Sequence, residues 1–152
     1  MKSQLNYHVM SGFYKYLIIS NLNLIIQFHQ NDLTFEGIKK LKQTIINDSK
    51  YNPEYNVIID LRLADVKMTP NELQRYGNWV QDILNDTKKN MALLTSNPNQ
   101  VTSATLYRLN DNFTNLNYEV FSTMEAALRH IDIDISNMQF IETEIDKLKE
   151  EV

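Results

Sequence analysis

The sequence contains no cysteine, and it has only three glycines and three prolines in 152 residues. The lack of cysteine excludes disulfides, thiolate nucleophiles and cysteine metal sites, and with no signal peptide it favours a cytoplasmic protein. Few glycines and prolines indicate long secondary-structure elements joined by short loops. No apolar run approaches the roughly 20 residues that span a bilayer, so no transmembrane segment is expected.

A strong charge of one sign is also missing. The net charge is −4, and the densest basic group is Lys39, Lys40 and Lys42, which helical spacing predicts on a solvated face. Binding to nucleic acid needs Lys and Arg gathered on one surface to neutralise phosphates. Nucleic acid is therefore not expected among the partners.

Residue patterns with known catalytic chemistry are scarce as well. The histidines, His8, His29 and His130, stand apart from any serine elbow, and no two of them have metal-ligand spacing. The glycines are too far apart to form a phosphate-binding loop. We therefore expect no metal, no cofactor and no catalytic residue.

What the sequence does contain is an alternation of strands and helices. Residues 13–20 and 22–29 predict a strand pair, and helical periodicity follows Thr34. From the second strand the order is β-α-β-α-β-α-β-α, which requires right-handed crossovers. The predicted fold class is α/β, a mixed and largely parallel sheet packed by helices mainly on one face. The later predicted strands cover residues 57–61, 91–95 and 118–121.

Two later helices have recognisable starts. Asn97-Pro98 predicts the start of one helix, in which Val101, Ala104 or Thr105, and Arg108 or Leu109 are expected to share one face. Ser122 and Glu125 have the spacing of a capping box for the next helix.

The most informative segment is the apolar run 57–61 and the polar residues after it. The run predicts a buried central strand, followed by a loop over residues 62–70 that Asp60, Arg62 and Asp65 are expected to order. Ligands in α/β folds bind at this edge of the sheet, so Asp60 and Asp65 are also the candidate acid–base pair. A structural role for Asp60, paired with Arg62, is the stronger interpretation.

The helix after this loop begins at Thr69, which with Glu72 forms a capping box. A hydroxyl at a helix N-terminus is also a candidate interaction or phosphorylation site. Leu73, Tyr76 and Trp79 follow on that helix. They are candidates for the wall of a pocket against the sheet, with simple core packing as the alternative.

We expect an α/β domain over residues 1–133 and an amphipathic helical appendage over residues 134–152. In the appendage, apolar residues keep a 3-4-3-4 spacing, and an isolated helix of that length is marginal in water. It therefore docks on its own domain, pairs with a second copy to form a homodimer, or frays. The apolar residues are Met138, Ile141, Ile145, Leu148 and Val152, and the first four form the possible homodimer contact.

Three segments, residues 33–38, 51–62 and 120–128, resemble the STAS-like superfamily. The resemblance is to its SpoIIAA-like group in particular, which is named after the sporulation anti-sigma-factor antagonist. It covers about residues 13–131 and implies the SpoIIAA-like fold.

The resemblance also implies two kinds of function. In antagonists of this superfamily a serine at the helix N-terminus after the third strand is phosphorylated by a partner kinase. Thr69 lies near that position, although Met68-Thr69-Pro70 replaces the usual Asp-Ser pair. Related folds with lipid-binding pockets imply an apolar ligand under Leu73, Tyr76 and Trp79 as the alternative.

The sequence therefore leaves three hypotheses. The favoured one is a non-enzymatic protein-interaction or regulatory module that acts on a protein partner through residues 62–70 and the helix after them. The second is a small apolar ligand or lipid bound between sheet and helices. The third is an enzyme that uses Asp60, Asp65 or a histidine.

Overall fold

A computed structural model describes residues 12–150 of the chain, so His8 and Val152 lie outside the described residues. Five strands and five α-helices form in these residues, with 3₁₀ turns at Ser20–Leu22 and Ile135–Asn137. The elements are β1 (Phe13–Ile19), β2 (Leu24–Leu33), α1 (Phe35–Ile46), β3 (Asn56–Val66), α2 (Pro70–Leu84), β4 (Lys89–Leu94), α3 (Pro98–Arg108), β5 (Leu116–Phe121), α4 (Met124–His130) and α5 (Met138–Leu148).

The strands form one sheet in the order β1-β2-β3-β4-β5. β1 pairs with β2 in antiparallel fashion, and the other three pairings are parallel. The predicted fold class, a mixed and largely parallel α/β sheet, is confirmed. Because every crossover steps in the same direction and crossovers are right-handed, α1, α2 and α3 lie on the same face of the sheet.

Each face of the sheet has its own apolar core. α1, α2 and α3 pack on the first face over Ile25, Val57 and Met91. α4 and α5 pack on the second face over Ile26, Ile58 and Ala92. Neighbouring residues of one strand thus contribute to opposite faces, as side chains of a strand must. Three helices lie on one face and two on the other.

Side-chain caps start four of the helices. Thr34, Thr69 and Asn97 accept hydrogen bonds from the first turns of α1, α2 and α3, as predicted. α4 begins at Met124, but its capping residue is one position later than the predicted Ser122. Its cap is Thr123, which accepts from the Ala126 N–H at 3.2 Å, so Ser122 and Glu125 do not form the predicted box.

The face predicted for α3 coincides only partly with its buried face. Gln100, Ala104 and Tyr107 are the buried residues of this helix, whereas Val101 and Leu109 are exposed. Hydrogen bonding rather than apolar packing accounts for this difference. The Gln100 side chain turns inward because its amide binds backbone carbonyl groups of β3, and this sets the rotation of the helix.

α5 docks on the second face of its own sheet. Ile141 and Ile145 are fully buried there, and Met138 and Leu148 pack against the same core. The alternative of a homodimer through these residues is therefore not supported, because the side chains that would form it are used within the chain. Within residues 12–150, no helix has both the length and the apolar character needed to cross a membrane.

Candidate functional site

β3 is longer than predicted, and this changes the candidate site. The strand extends to Val66, so most of the predicted loop 62–70 is strand. It extends because β2 is also long, and residues 30–33 of β2 pair with residues 63–66. Pairing with β4 ends earlier, at Asp60 opposite Leu94. The end of β3 therefore projects beyond the sheet on the β4 side.

A bulge marks the point where the projection begins. Phe28 pairs with Asp60 and Gln30 pairs with Leu63, so Leu61 and Arg62 together lie opposite the single residue His29. A bulge of this kind redirects side chains and bends the strand.

The predicted pairing of Asp60 with Arg62 is present and includes a third residue. Asp60 is 1% exposed, and Arg62 donates to its carboxylate from Nε at 3.0 Å, from Nη2 at 2.9 Å and from the backbone N–H at 3.0 Å. Arg62 also donates two bonds to Glu142 of α5, at 3.0 and 2.7 Å. The network joins the end of the central strand to α5.

This network engages Asp60, one of the candidate acid–base residues. Partial burial lowers the pKa of Arg62, but its hydrogen bonds to Glu142 and Asp60 outweigh burial and raise that pKa above its ordinary value. The guanidinium is therefore a permanent cation. The Asp60 carboxylate accepts three hydrogen bonds from it and from its backbone, which is the geometry of a structural ion pair.

Sequence analysis did not identify three residues that complete the site. The carbonyl groups of Arg62 and Ala64 lack a β4 partner, and Gln100 Nε2 donates to them at 3.2 and 2.9 Å. Ser96 Oγ also donates to the Arg62 carbonyl, at 2.8 Å. These side chains cover the projecting edge of β3. Glu142, Gln100 and Ser96 are 34 to 80 residues from their partners, so no local pattern indicates them.

Asp65 does not have its predicted place in a loop. It lies within β3, and its Oδ2 is 3.0 Å from Lys67 Nζ, with both side chains more than half exposed. An exposed pair of this kind contributes little to stability. The side chain of Asp65 pairs with Lys67, whereas that of Asp60 pairs with Arg62, so the two acids have different partners.

Thr69 forms both halves of the predicted capping box. Its Oγ1 accepts from the Glu72 N–H at 3.1 Å, and Glu72 Oε1 accepts from the Thr69 N–H at 3.0 Å. The residue is exposed, and Pro70 follows it as the first residue of α2. Thr69 is thus exposed to solvent while its hydroxyl caps α2.

Replacing Thr69 with alanine is expected to lower the free energy of unfolding by about 1 kcal/mol, because the Glu72 N–H loses its acceptor. Urea denaturation of the two proteins measures this difference. Thr69→Ser keeps the acceptor and is the matched control, with the stability of the original chain. Equal losses in the two variants would show that the hydroxyl does not cap α2.

The predicted pocket wall is only partly present. Leu73 and Tyr76 line an apolar cavity of about 40 Å³ between the sheet and the helices α2 and α3. Trp79 does not line this cavity. It is half-buried against the Tyr76 ring, 5.8 Å away between centroids, and Lys39 Nζ lies 5.1 Å from its ring centroid. This cavity is far smaller than the several hundred cubic ångströms typical of ligand pockets.

The two described histidines have different environments. His130 lies at the surface and its Nε2 is 2.9 Å from the Asn117 carbonyl oxygen. His29 is 3% exposed, and burial lowers its pKa to about 4, so it is neutral at pH 7. Within residues 12–150, no cluster of three metal-ligating side chains occurs.

Buried His29 predicts a loss of stability in mild acid. An unfolded histidine binds a proton below about pH 6.5, whereas folded His29 binds one only near pH 4, so unfolding takes up a proton between these values. The free energy of unfolding should therefore fall by about 2 kcal/mol between pH 7 and pH 5 through this residue alone.

The measurement is urea denaturation at several pH values for the original chain, His29→Gln and His130→Gln. The His29→Gln variant should lack this part of the stability loss between pH 7 and pH 5, and His130→Gln should retain it. Identical pH profiles for the original chain and His29→Gln would contradict the assignment.

Comparison with solved structures identifies a fold neighbour. The chain is similar to an uncharacterised protein from the DUF3478 family with a SpoIIAA-like fold, from Shewanella loihica PV-4. The TM-score is 0.52 and the sequence identity 14%, and the match covers 80% of this chain and 94% of that one. No protein-family model matches the chain, and no curated protein matches its sequence.

Proposed function

We propose that this chain, whose fold is SpoIIAA-like as the sequence resemblance implied, is a non-enzymatic protein-interaction module. The proposed contact is the β3–α2 surface, defined by its exposed residues. They are Leu63, Asp65, Lys67, Thr69 and Pro70.

The exposed Leu63 side chain carries this proposal. It is 47% exposed although it lies in a strand whose backbone is paired with β2 on one side. Gln100 and Ser96 occupy carbonyl groups on the other side, so the projecting edge offers side chains to a partner rather than strand pairing. An apolar residue with charged Asp65 and Lys67 beside it resembles the apolar centre and polar rim of a protein interface.

The ordered support beneath this surface favours binding as well. The Asp60–Arg62–Glu142 network fixes the start of the projection, and the Thr69 capping box fixes its end. A surface that is already ordered loses little conformational entropy when it binds. The same network leaves Asp60 without a free carboxylate oxygen for substrate chemistry.

Site-specific photo-cross-linking in the native cell tests the proposal. A photoreactive amino acid replaces Leu63 in one chain and Leu106 in another, because Leu106 is equally exposed on α3 at 48%. A protein cross-linked from position 63 and not from position 106 is then purified, and its affinity is measured. Leu63→Asp should weaken that affinity at least about tenfold, as expected when an interface centre loses an apolar anchor. Equal cross-linking from both positions, or unchanged affinity in Leu63→Asp, overturns the proposal.

Phosphorylation of Thr69 is the regulatory form of this proposal. A phosphate there adds a charge of about −1.5 to −2 to the β3–α2 surface and so changes partner binding. Intact-mass measurement of the protein from its native cell tests for the modification. If Thr69 is unmodified in every growth condition and Thr69→Glu leaves partner affinity unchanged, the regulatory form is wrong.

The second candidate function, binding of a small apolar ligand or lipid, rests on the cavity beside Leu73 and Tyr76. Its lining is almost wholly apolar, which suits such a ligand, but at about 40 Å³ it must enlarge severalfold to admit one. Native mass spectrometry of the purified chain distinguishes the two functions, because a lipid binder retains its ligand as an added mass.

A further inference from the structure

The sheet has two edge strands, β1 and β5, and a side chain covers the outer edge of β5. The Phe121 carbonyl accepts from the Thr95 N–H on the β4 side, so the Tyr118 carbonyl, an odd number of residues away, points outward. Arg108 of α3 donates to that carbonyl from Nε at 3.3 Å and pairs with Glu119 at 2.9 Å. Its position across the edge opposes pairing of β5 with another strand.

The hydrogen bonds of β2 determine which groups of β1 point outward. The Asn23 carbonyl accepts from the Asn56 N–H at 3.1 Å on the β3 side. The Leu24 N–H lies in the same trans peptide plane and so points the opposite way, towards β1. Every second residue of β2 after Leu24 is oriented in the same way. The residues of β1 opposite them, which therefore bond to β2, are Phe13, Lys15, Leu17 and Ile19.

The residues of β1 between these four point their N–H and carbonyl groups away from β2. They are Tyr14, Tyr16 and Ile18. Within the described part of the chain, the hydrogen bonds of β1 are those to β2 and the one that the Tyr16 hydroxyl donates to Asp48 at 2.7 Å. Residues 13–19 contain no proline, and their register with β2 has no bulge. β1 thus presents a regular edge with outer backbone groups that can pair.

The positions of these outward groups suit a second copy of the same strand. They are symmetric about Tyr16, so in an antiparallel pair of β1 strands Tyr16 lies opposite Tyr16 and Tyr14 lies opposite Ile18. Each outward N–H then meets an outward carbonyl. Because each copy supplies three N–H groups, the pair forms six hydrogen bonds and leaves none of these groups unpaired.

The side chains of β1 suit the same pairing. Tyr14, Tyr16 and Ile18 are partly buried against the core of the first face, and Phe13 and Leu17 are partly buried against that of the second. A second β1 strand covers their exposed parts with aromatic and aliphatic neighbours. Such cross-strand pairs and the burial of apolar area both stabilise adjacent strands.

The charge on β1 is compatible with a second copy. Lys15 is the charged residue of this strand, and its Nζ lies 5.4 Å from the centroid of the Phe13 ring. Phe13 and Tyr16 lie on opposite sides of Lys15 along the strand. The attraction of the ammonium to the Phe13 ring therefore moves it away from a two-fold axis at Tyr16, and so away from Lys15 of the other copy.

We propose that two copies of this chain form a homodimer in which their β1 strands pair antiparallel about a two-fold axis at Tyr16. A two-fold interface uses the same surface on both copies, as the symmetric positions of the outward groups require. The two five-stranded sheets then become one continuous sheet. This interface involves neither α5 nor the β3–α2 surface, since β2 lies between β1 and β3.

Analytical ultracentrifugation of the full chain, at concentrations up to about 1 mM, tests the proposal, because even weak dimers form there. We expect the mass to approach that of two chains. Ile18→Pro removes one outward N–H from each copy and no bond to β2, and edge strands accept proline at such positions. It should weaken dimerisation at least about tenfold, because two of the six hydrogen bonds are lost.

Val120→Pro is the matched control for this variant. Val120 lies two residues after Tyr118, so its N–H also points outward, but from β5. This variant should dimerise as the original chain does. A monomer at every concentration of the original chain overturns the proposal, and so does undiminished dimerisation of folded Ile18→Pro.

A disulfide test fixes the register and remains informative if Ile18→Pro fails to fold. The chain has no cysteine, so Tyr16→Cys introduces a single thiol. The two-fold axis places the two Cα atoms at position 16 about 5.5 Å apart, which a disulfide can bridge. In Tyr14→Cys, the matched control, the two thiols are four residues apart along the pair, at about 14 Å, which is too far.

Mild oxidation and a non-reducing gel measure the result. We expect a disulfide-linked dimer of Tyr16→Cys and none of Tyr14→Cys. Equal cross-linking of the two variants, or no cross-linking of Tyr16→Cys, overturns the proposed pairing.

Discussion

Replacing Arg62 with alanine is expected to lower the free energy of unfolding by about 4 kcal/mol, because one partner of a buried pair is left alone. Asp60 is 1% exposed and loses its two hydrogen bonds from the guanidinium in this variant. Its backbone bond to residue 62 can re-form, but the two guanidinium bonds cannot. Urea denaturation at pH 7 measures the loss.

Two further variants separate the parts of this network. Glu142 is 38% exposed, so Glu142→Gln should lower stability by no more than about 1 kcal/mol. Replacing both Asp60 and Arg62 with leucine removes both charges and should be less harmful than Arg62→Ala alone. A loss below about 1 kcal/mol in Arg62→Ala would show that the Asp60–Arg62 pair contributes little to stability.

Replacing either buried lysine with methionine is expected to raise the free energy of unfolding at pH 7 by about 3 kcal/mol. The Nζ atoms of Lys42 and Lys89 are buried and have no hydrogen-bond partner within residues 12–150. Burial lowers the pKa of Lys42 to about 8. Burial, together with the charge of Lys42, lowers the pKa of Lys89 to about 7.

The pH dependence provides an independent check of the two lysines. Unfolded lysine keeps its proton to about pH 10.4, whereas the folded side chains release theirs from about pH 7 to 8 upward. The unfolded chain therefore binds more protons in this window, and the stability of the original chain should rise with pH across it. Lys42→Met and Lys89→Met should each reduce this rise.

Lys88→Met is the matched control, because Lys88 is exposed beside Lys89. Its stability should stay within about 0.5 kcal/mol of the original chain. The double variant Lys42→Met with Lys89→Met should gain less than the sum of the single variants, since each substitution also relieves the other lysine. A loss of stability in either single variant would contradict the prediction.

The parts of the fold that local chemistry determines were predictable. Thr34, Thr69 and Asn97 each precede a helical pattern, and a cap acts within three residues, so the sequence contains the whole interaction. The alternation of strands and helices likewise predicts the parallel sheet, because only crossovers can connect it.

The candidate site was less predictable because long-range contacts determine it. Residues 30–33 and 62–66 are rich in polar side chains, so their sequence predicts loops. The two segments are nevertheless strands, because they pair with each other. Gln100 and Glu142 have no local signal for their bonds to β3.

Lys42 shows a different limit of sequence reasoning. It was predicted on a solvated face with Lys39 and Lys40, but it is 1% exposed. It lies four residues after Ile38 and three before Ile45, both buried, so the apolar spacing includes it. Its charge alone led to the wrong expectation.

The order of strands in the sheet bears on how the chain folds during synthesis. Each new strand pairs with the one made just before it, from β1 through β5. The sheet can therefore grow at one edge as the ribosome releases the chain, and every pairing closes a short loop rather than a long one. A nascent chain of this topology never has to wait for a distant strand before its newest one finds a partner.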